Sequence, residues 1–388
     1  MLSTIANHLN KYDFDVRKTH DARFVDQKCT PDIVCFIADC VITMVATKPV
    51  FALNDIWATQ YFIANVRVIF NKPWANDRNA YNEYNKVLSQ PLKLLAYAKV
   101  LNVDNGTGTL TFSVNNEELL DYISRKDRNA YVFLYHFFRK VLSDSGFIRF
   151  MEDYREGRMT KEEVYERYIR LKRGNTHSQS ILDIKRMFHK VFNVYAAEHG
   201  LRGSSGKNAR CYSDLMYNRV NWRDMDKDKT VTRQETLNEI ESDEKQRAIN
   251  AYYVQKAIAL VRKLHTSSEV HDQWGMGEAT QVHHIFPKSM FPQIAHYIEN
   301  LILLTATQHF SKAHPSNSTQ IVDRDYQIVC LLAKADTIEK SLRMVGEKYY
   351  RKESFVYVLN VGLGANIGLT LDIPQIKTEI VRIYNDQA

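Results

Sequence analysis

Apolar positions fall into helical spacing over residues 80–101, 124–140, 251–264 and 326–349, each with polar residues on the opposite side. Pro91 inside the first of these marks a kink or a fresh start. The apolar run 33–38 is a buried segment that its pattern leaves open between strand and core helix. In the segment 51–57, Asn54 or Asp55 is placed to cap a helix. Period-two alternation is clearest over residues 103–114, where Asn105-Gly106 predicts the turn of a β-hairpin. A second, apolar hairpin is expected in the tail, entered through Arg351 and Lys352. Together these predict an α+β chain, mostly helical.

At 388 residues the chain exceeds a single ordinary core. Three regions are expected: one over 1–122, a helical, basic and Tyr-rich connecting region over 123–250, and one over 251–388. Helix, helix and hairpin in the first region follow the element order of a winged helix, so this region resembles that DNA-binding fold. In the second, residues 165–173 interleave tyrosines with basic residues. The tyrosines are read as core-facing, and the charges are left open to a phosphate-tracking role. Residues 201–208 read as a linker, and 224–229 as a solvated turn without the Gly and distal Glu of a calcium loop.

Composition adds little constraint. Hydrophobic residues make up 45% and charged residues 25%, as in an ordinary globular protein, and the formal net charge of +7 is compatible with a polyanionic partner. With 14 Gly and 8 Pro, a turn-rich all-β design is excluded. The five cysteines (Cys29, Cys35, Cys40, Cys211, Cys330) contain no CxxC pair, which argues against a disulfide framework or a four-cysteine zinc site. Without a signal-peptide pattern or a membrane-length apolar run, the expected location is cytoplasmic.

The chemistry concentrates in residues 281–315. Successive side chains of a strand face opposite ways, so the adjacent His283 and His284 cannot both address one ion. One can hold a cation while the other moves protons, the division of labour that phosphodiester hydrolysis needs. Asn300, one strand away, can orient the free imidazole, and the segment after the apolar run 301–304 supplies His309 and His314. His283-His284-x-x-Pro287, Asn300 and His309 nine positions later resemble the HNH, or ββα-metal, nuclease motif.

That resemblance implies His283 and His309 as metal ligands, His284 as general base, and Asn300 fixing the backbone or orienting the base. It covers about 35 residues, and the whole layout resembles a type II restriction endonuclease of HNH type, which implies a DNA-recognition domain over 1–122 and a nuclease domain over 251–388. One departure is that the third ligand position, one turn after His309, is Ala313. His314 lies about 140° from His309 around an ideal α-helix, and can serve if the helix ends at Pro315. The cysteines that brace many HNH modules are also missing. Lys288 and Lys312 fit as phosphate contacts, and His296 is assigned no role. The reading is a Mg²⁺- or Mn²⁺-dependent DNA endonuclease, with Zn²⁺ or Ni²⁺ as alternative ions and a homodimer for double-strand cleavage. A homing or non-specific nuclease and a non-catalytic DNA-binding protein are the alternatives.

A rival PD-(D/E)xK site starting at Pro31-Asp32 fails. Lys48 lacks a carboxylate two residues before it, and Asp26-Gln27-Lys28 lies on the wrong side. Asp15, Arg17, Asp21, Arg23, Asp26 and Lys28 are expected to form a polar surface or a DNA-contact region.

Overall fold

The computed structural model describes residues 2–70, 81–106, 108–176, 180–205, 209–217, 242–314, 322–344 and 349–386. The chain forms two compact units, Met1–Glu239 and Ile240–Ala388. Both are α+β and mostly helical. The expected turn at 224–229 and Pro315 lie outside the described residues, as does part of the 201–208 linker. The described part of that linker is pinned: Ser204 N donates to Asn193 Oδ1 (2.7 Å), and a Cβ on Gly203 would sit 2.5 Å from the Arg210 side chain.

The first unit is built around helix α1 (Pro31–Val45), which resolves the ambiguity of the 33–38 run. Pro31 sits in its first turn, where a missing N–H costs nothing. Ile33, Val34, Phe36, Ile37, Ala38 and Val41 are all buried, so the helix is enclosed on nearly every side. Around it stand α2 (Gln60–Phe70), α3 (Tyr81–Tyr97), α4 (Glu117–Arg125) and α5 (Asp127–Asp144). Helix α1 packs on both α4 and α5, and α4 itself spans the boundary expected between residues 122 and 123. The first two expected regions therefore share one core, and the separation at 122/123 is corrected.

Three short strands complete this unit: β1 (Val50–Ala52), β2 (Leu101–Asp104) and β3 (Thr111–Val114), antiparallel in the order β1-β3-β2. Phe51 opposes Phe112, with ring centroids 6.0 Å apart, which fixes the face turned to the core. Asp104 pairs with Thr111, so the connection runs over 105–110 instead of closing in a two-residue Asn105-Gly106 turn. Asp55 sits one turn inside its helix and accepts Ala52 N at 2.7 Å, so it works back on the cap from within. Pro91 is accommodated inside α3, on its buried side.

Further along, α6 (Lys161–Gly174) and α7 (Ile181–Glu198) pack against each other. Val164, Tyr168 and Lys172 form the buried stripe of α6, while Arg167, Arg170 and Arg173 are exposed. Of the expected N-terminal polar surface, Arg17, Asp21 and Arg23 are exposed, but Asp15 and Lys28 are buried. Lys28 is paired with Glu83, and Asp32 accepts the Tyr217 amide through both oxygens (2.8 and 3.0 Å).

In the second unit, α8 (Ser242–Leu264) precedes the antiparallel pair β4 (Ala279–His284) and β5 (Leu301–Thr305). All five residues of β5 are buried. Helices α9 (Arg324–Arg343), α10 (Lys352–Leu363) and α11 (Ile373–Asp386) complete the unit. The tail is thus a pair of helices, not a hairpin. Ile373, Ile376, Ile380 and Ile383 recur at helical spacing, and Gly364, at φ 61°, takes the left-handed conformation that ends α10. The five cysteines are free thiols, and among the described residues no helix is long and apolar enough to cross a membrane.

Candidate metal centre

Strand parity separates the two adjacent histidines. His283 pairs with Ile302 and is 2% exposed, whereas His284, opposite Leu301, lies on the other face and is half-buried. The strand thereby delivers one imidazole inward and leaves the next for a second task.

The other two inward imidazoles come from the segment Gln308–Ala313, which is a π-helix, and the residue that follows it. Its wider i→i+5 turn brings residues five apart onto one face. His309 and His314 consequently stand with ring centroids 4.8 Å apart, and His283 lies 5.4 Å from His309 and 4.8 Å from His314. The three rings are mutually near-perpendicular, at 75–79°. The 140° separation expected of a continuing α-helix is thus removed by the π winding together with the end of the helix at Ala313, His314 already standing outside it at φ −124° and ψ 89°.

These rings offer nitrogens that all lie within 4.8 Å of one another. Nitrogens on one tetrahedral ion, each about 2.1 Å from it, lie about 3.4 Å apart, so the widest pair must close by up to about 1.4 Å, within reach of small ring rotations. The chemistry of the donors fits a cation: His283 Nε2 and His309 Nδ1 are buried and have no hydrogen-bond partner among the described residues. Burial pushes His283 well below the ordinary imidazole range, with the neighbouring His314, His309 and His284 adding to the effect. His309 is pushed down to about 4, first by burial and then by His314. Neutral imidazoles with open lone pairs are what a metal ion requires.

His284 makes a different bond. Its Nε2 lies 3.1 Å from the Ala295 carbonyl oxygen, an acceptor only, so Nε2 carries the hydrogen and Nδ1 carries the lone pair. Burial lowers this imidazole to about 4, the Ala295 carbonyl acting against that shift and Lys288 with it. At neutral pH His284 is therefore a neutral, oriented proton acceptor.

Asn300 does not touch His284. It is fully buried, accepts Phe286 N (2.9 Å) and donates to the Phe286 and Ile294 carbonyls (3.1 and 3.3 Å). It staples the loop between the strands, and that loop presents the Ala295 carbonyl. Of the two roles open to Asn300, fixing the backbone is the one it performs, and the orienting contact belongs to Ala295.

Lys288 is exposed beside His284, and Lys312 lies with its Nζ 4.6 Å from the centre of the Trp274 ring. His296 stacks near Tyr253 and Tyr297, away from the three-histidine cluster.

Sequence reasoning missed Gln308, immediately before His309. Fully buried, it accepts Thr305 N (3.0 Å) and the Ser268 hydroxyl (2.6 Å), and donates to the Val270 carbonyl (2.9 Å) and Asp272 Oδ1 (2.8 Å). Tyr326 donates to the other Asp272 oxygen at 2.9 Å. This network anchors the π-helix at its start. A glutamine in a polar stretch carries no signal of burial, so only the folded arrangement exposes it. Beneath β5, Glu269 accepts Leu303 N (2.9 Å) and pairs with fully buried Lys334 at 2.5 Å.

No protein-family profile, curated protein or solved structure matches this chain.

Proposed function

We propose that this chain is a metal-dependent endonuclease of HNH type that hydrolyses DNA phosphodiester bonds, cutting both strands at a specific sequence as a homodimer. The observation that carries the reading is the three-imidazole cluster of His283, His309 and His314 on one face of β4, with His284 oriented on the other.

A divalent ion held by the three imidazoles would supply Lewis-acid stabilisation of charge on the phosphate and the leaving oxygen. His284 Nδ1 takes a proton from the attacking water, while the Nε2–H bond to Ala295 holds the ring in its tautomer. The approaching phosphate anion stabilises the imidazolium and raises the basicity that burial depresses. Lys288, exposed beside this imidazole, is placed to meet a phosphate oxygen. Lys312 can contribute only after leaving the Trp274 face.

The all-nitrogen donor set favours Mn²⁺, Zn²⁺ or Ni²⁺ over Mg²⁺, which prefers oxygen ligands. One centre cuts one strand, so a double-strand break at a symmetric site calls for twofold pairing of chains. Plasmid digestion with Mg²⁺, Mn²⁺, Zn²⁺ or Ni²⁺, comparing the wild type with His284→Ala, tests the reading. Discrete fragments from the wild type alone support it. A smear lost in the variant keeps the nuclease and removes site specificity. Equal cutting by both, or by neither, overturns the role of His284.

A further inference from the structure

Helix α3 (Tyr81–Tyr97) is two-faced in an unusual way. Tyr84, Val87, Leu88, Pro91, Leu92 and Leu95 are buried against the first unit. On the other side Asn82, Asn85, Lys86, Ser89 and Lys93 fall within an arc of about 100° on a 3.6-residue helix. Asn82, Lys86 and Lys93 are exposed, and Asn85 and Ser89 half-buried. The arc contains two cations, two amides and a hydroxyl, and no carboxylate.

Two acids border this arc: Asp26, which lines a concavity with Ser89 and Lys93 and is paired with Arg23 at 2.9 Å, and Glu83, which is neutralised as well. Lys28 pairs with it, and the Tyr217 hydroxyl donates to it at 3.0 Å. The helix then runs through residues 98–100 into β2, whose hairpin with β3 stands beside it.

We infer that this face of α3 reads duplex DNA in the major groove. The inference rests on the DNA-cleavage reading for its partner, and on the charge and donor chemistry of the face for its site. A helix with its side chains is about 10–12 Å across and the major groove about 12 Å wide. Asparagine offers a donor and an acceptor that match adenine N7 and N6, and serine can bond to any base edge. Lys86 and Lys93 supply positive charge to guanine or phosphate, which suits a chain of net charge +7.

The test is selection from a library of randomised DNA duplexes without divalent ion, using the full-length His284→Ala protein. Asn82→Ala, Asn85→Ala, Ser89→Ala and Lys86→Gln/Lys93→Gln are compared in the same background. Enrichment of a short motif is expected. An asparagine substitution should relax one base position and weaken binding roughly 5- to 150-fold. The double lysine substitution should weaken binding to all duplexes. It should also lower the slope of log affinity against log salt by about 0.9 for each phosphate that is no longer neutralised. These positions are on the surface, and an unchanged thermal midpoint verifies that each variant folds.

An unchanged motif at unchanged affinity in every variant overturns the inference, as does failure to retain any duplex. If the wild type cuts DNA while α3 variants cut at the same sites, the inference falls and the nuclease stands. If α3 governs a motif but no metal supports cutting, the nuclease reading falls and this one stands.

Discussion

His309 and His314 are five residues apart, yet their rings stand 4.8 Å from each other, because the chain between them is wound as a π-helix. Had these residues been α-helical, each residue would turn by about 100° and the two rings would diverge. The local winding thus decides whether the centre has two imidazoles or three.

Removal of His314 should therefore damage metal binding as much as removal of a strand ligand. His314→Ala is expected to lower Co²⁺ or Zn²⁺ affinity by at least about tenfold. Placing histidine at the next position back, with Ala313→His in the His314→Ala background, should not restore it. Titration followed by Co²⁺ absorption reads both, and recovery in the double variant would mean that the segment is α-helical in solution.

Gln308 holds the start of that π-helix, so its loss should be felt at the metal as well as in stability. Gln308→Ala leaves the buried Thr305 amide without its side-chain acceptor, while the Ser268 hydroxyl keeps the Val270 carbonyl at 3.1 Å, at a cost of about 1–3 kcal/mol. A shift of the Co²⁺ spectrum in folded Gln308→Ala protein would mark a positioning role. An unchanged spectrum with a lower denaturation midpoint would make Gln308 structural only.

His284→Ala should separate binding from chemistry. With His283, His309 and His314 intact, metal affinity is expected to stay near that of the wild type, while cleavage falls by about 10²–10⁴-fold. Equilibrium dialysis against Zn²⁺ and single-turnover cleavage give the two readouts. Joint loss of both would place His284 among the ligands.

Two buried lysines make opposite predictions. Lys334 faces Glu269 with both side chains almost fully covered, so Lys334→Met strands a buried carboxylate and should destabilise the second unit by about 3–5 kcal/mol. Combining it with Glu269→Gln, which keeps the bond from Leu303 N, should recover much of the loss. Denaturant midpoints of the two single variants and the double variant close the cycle.

Lys172 has no carboxylate partner at hydrogen-bond range among the described residues; it donates to the Ala22 carbonyl and lies 5.0 Å from the Phe24 ring centre. Burial lowers it to about 7. Below pH 7 both folded and unfolded chains carry the proton, and the folded state bears the full cost of the buried charge. As pH rises past 7 the folded lysine releases its proton and that cost fades, until the unfolded chain also deprotonates near 10.5. Stability relative to Lys172→Met should therefore rise between pH 7 and 10.5. Urea midpoints of the two proteins at several pH values measure the gap, and a constant gap would contradict the shift.

What can be read in the sequence follows from how local each determinant is. His283, His284, Asn300 and His309 stand at motif spacing, and strand parity alone predicts that the first two part company. The third imidazole, His314, is legible only as a conditional ligand, because π winding depends on tertiary anchors such as Gln308, Thr305 and Asp272. The tail reads wrongly as a hairpin when the apolar runs at 355–359 and 373–384 are weighed by hydrophobicity and not by their three- and four-residue spacing. The boundary at 122/123 fails for a third reason: α1 is buried by helices far downstream, a relationship no local composition reveals.

β4 carries two chemically identical neighbours whose duties differ only by the pleat. A single-residue deletion in β4 ahead of them would turn His284 into the cluster in place of His283 and leave the Ala295 loop without an imidazole. An insertion would set His283 toward that loop and leave the cluster without its strand ligand, with neither side chain altered. Identity here is positional, like odd and even numbers on a street. The irregularity between Ala279 and Gln281 already sets the count one way.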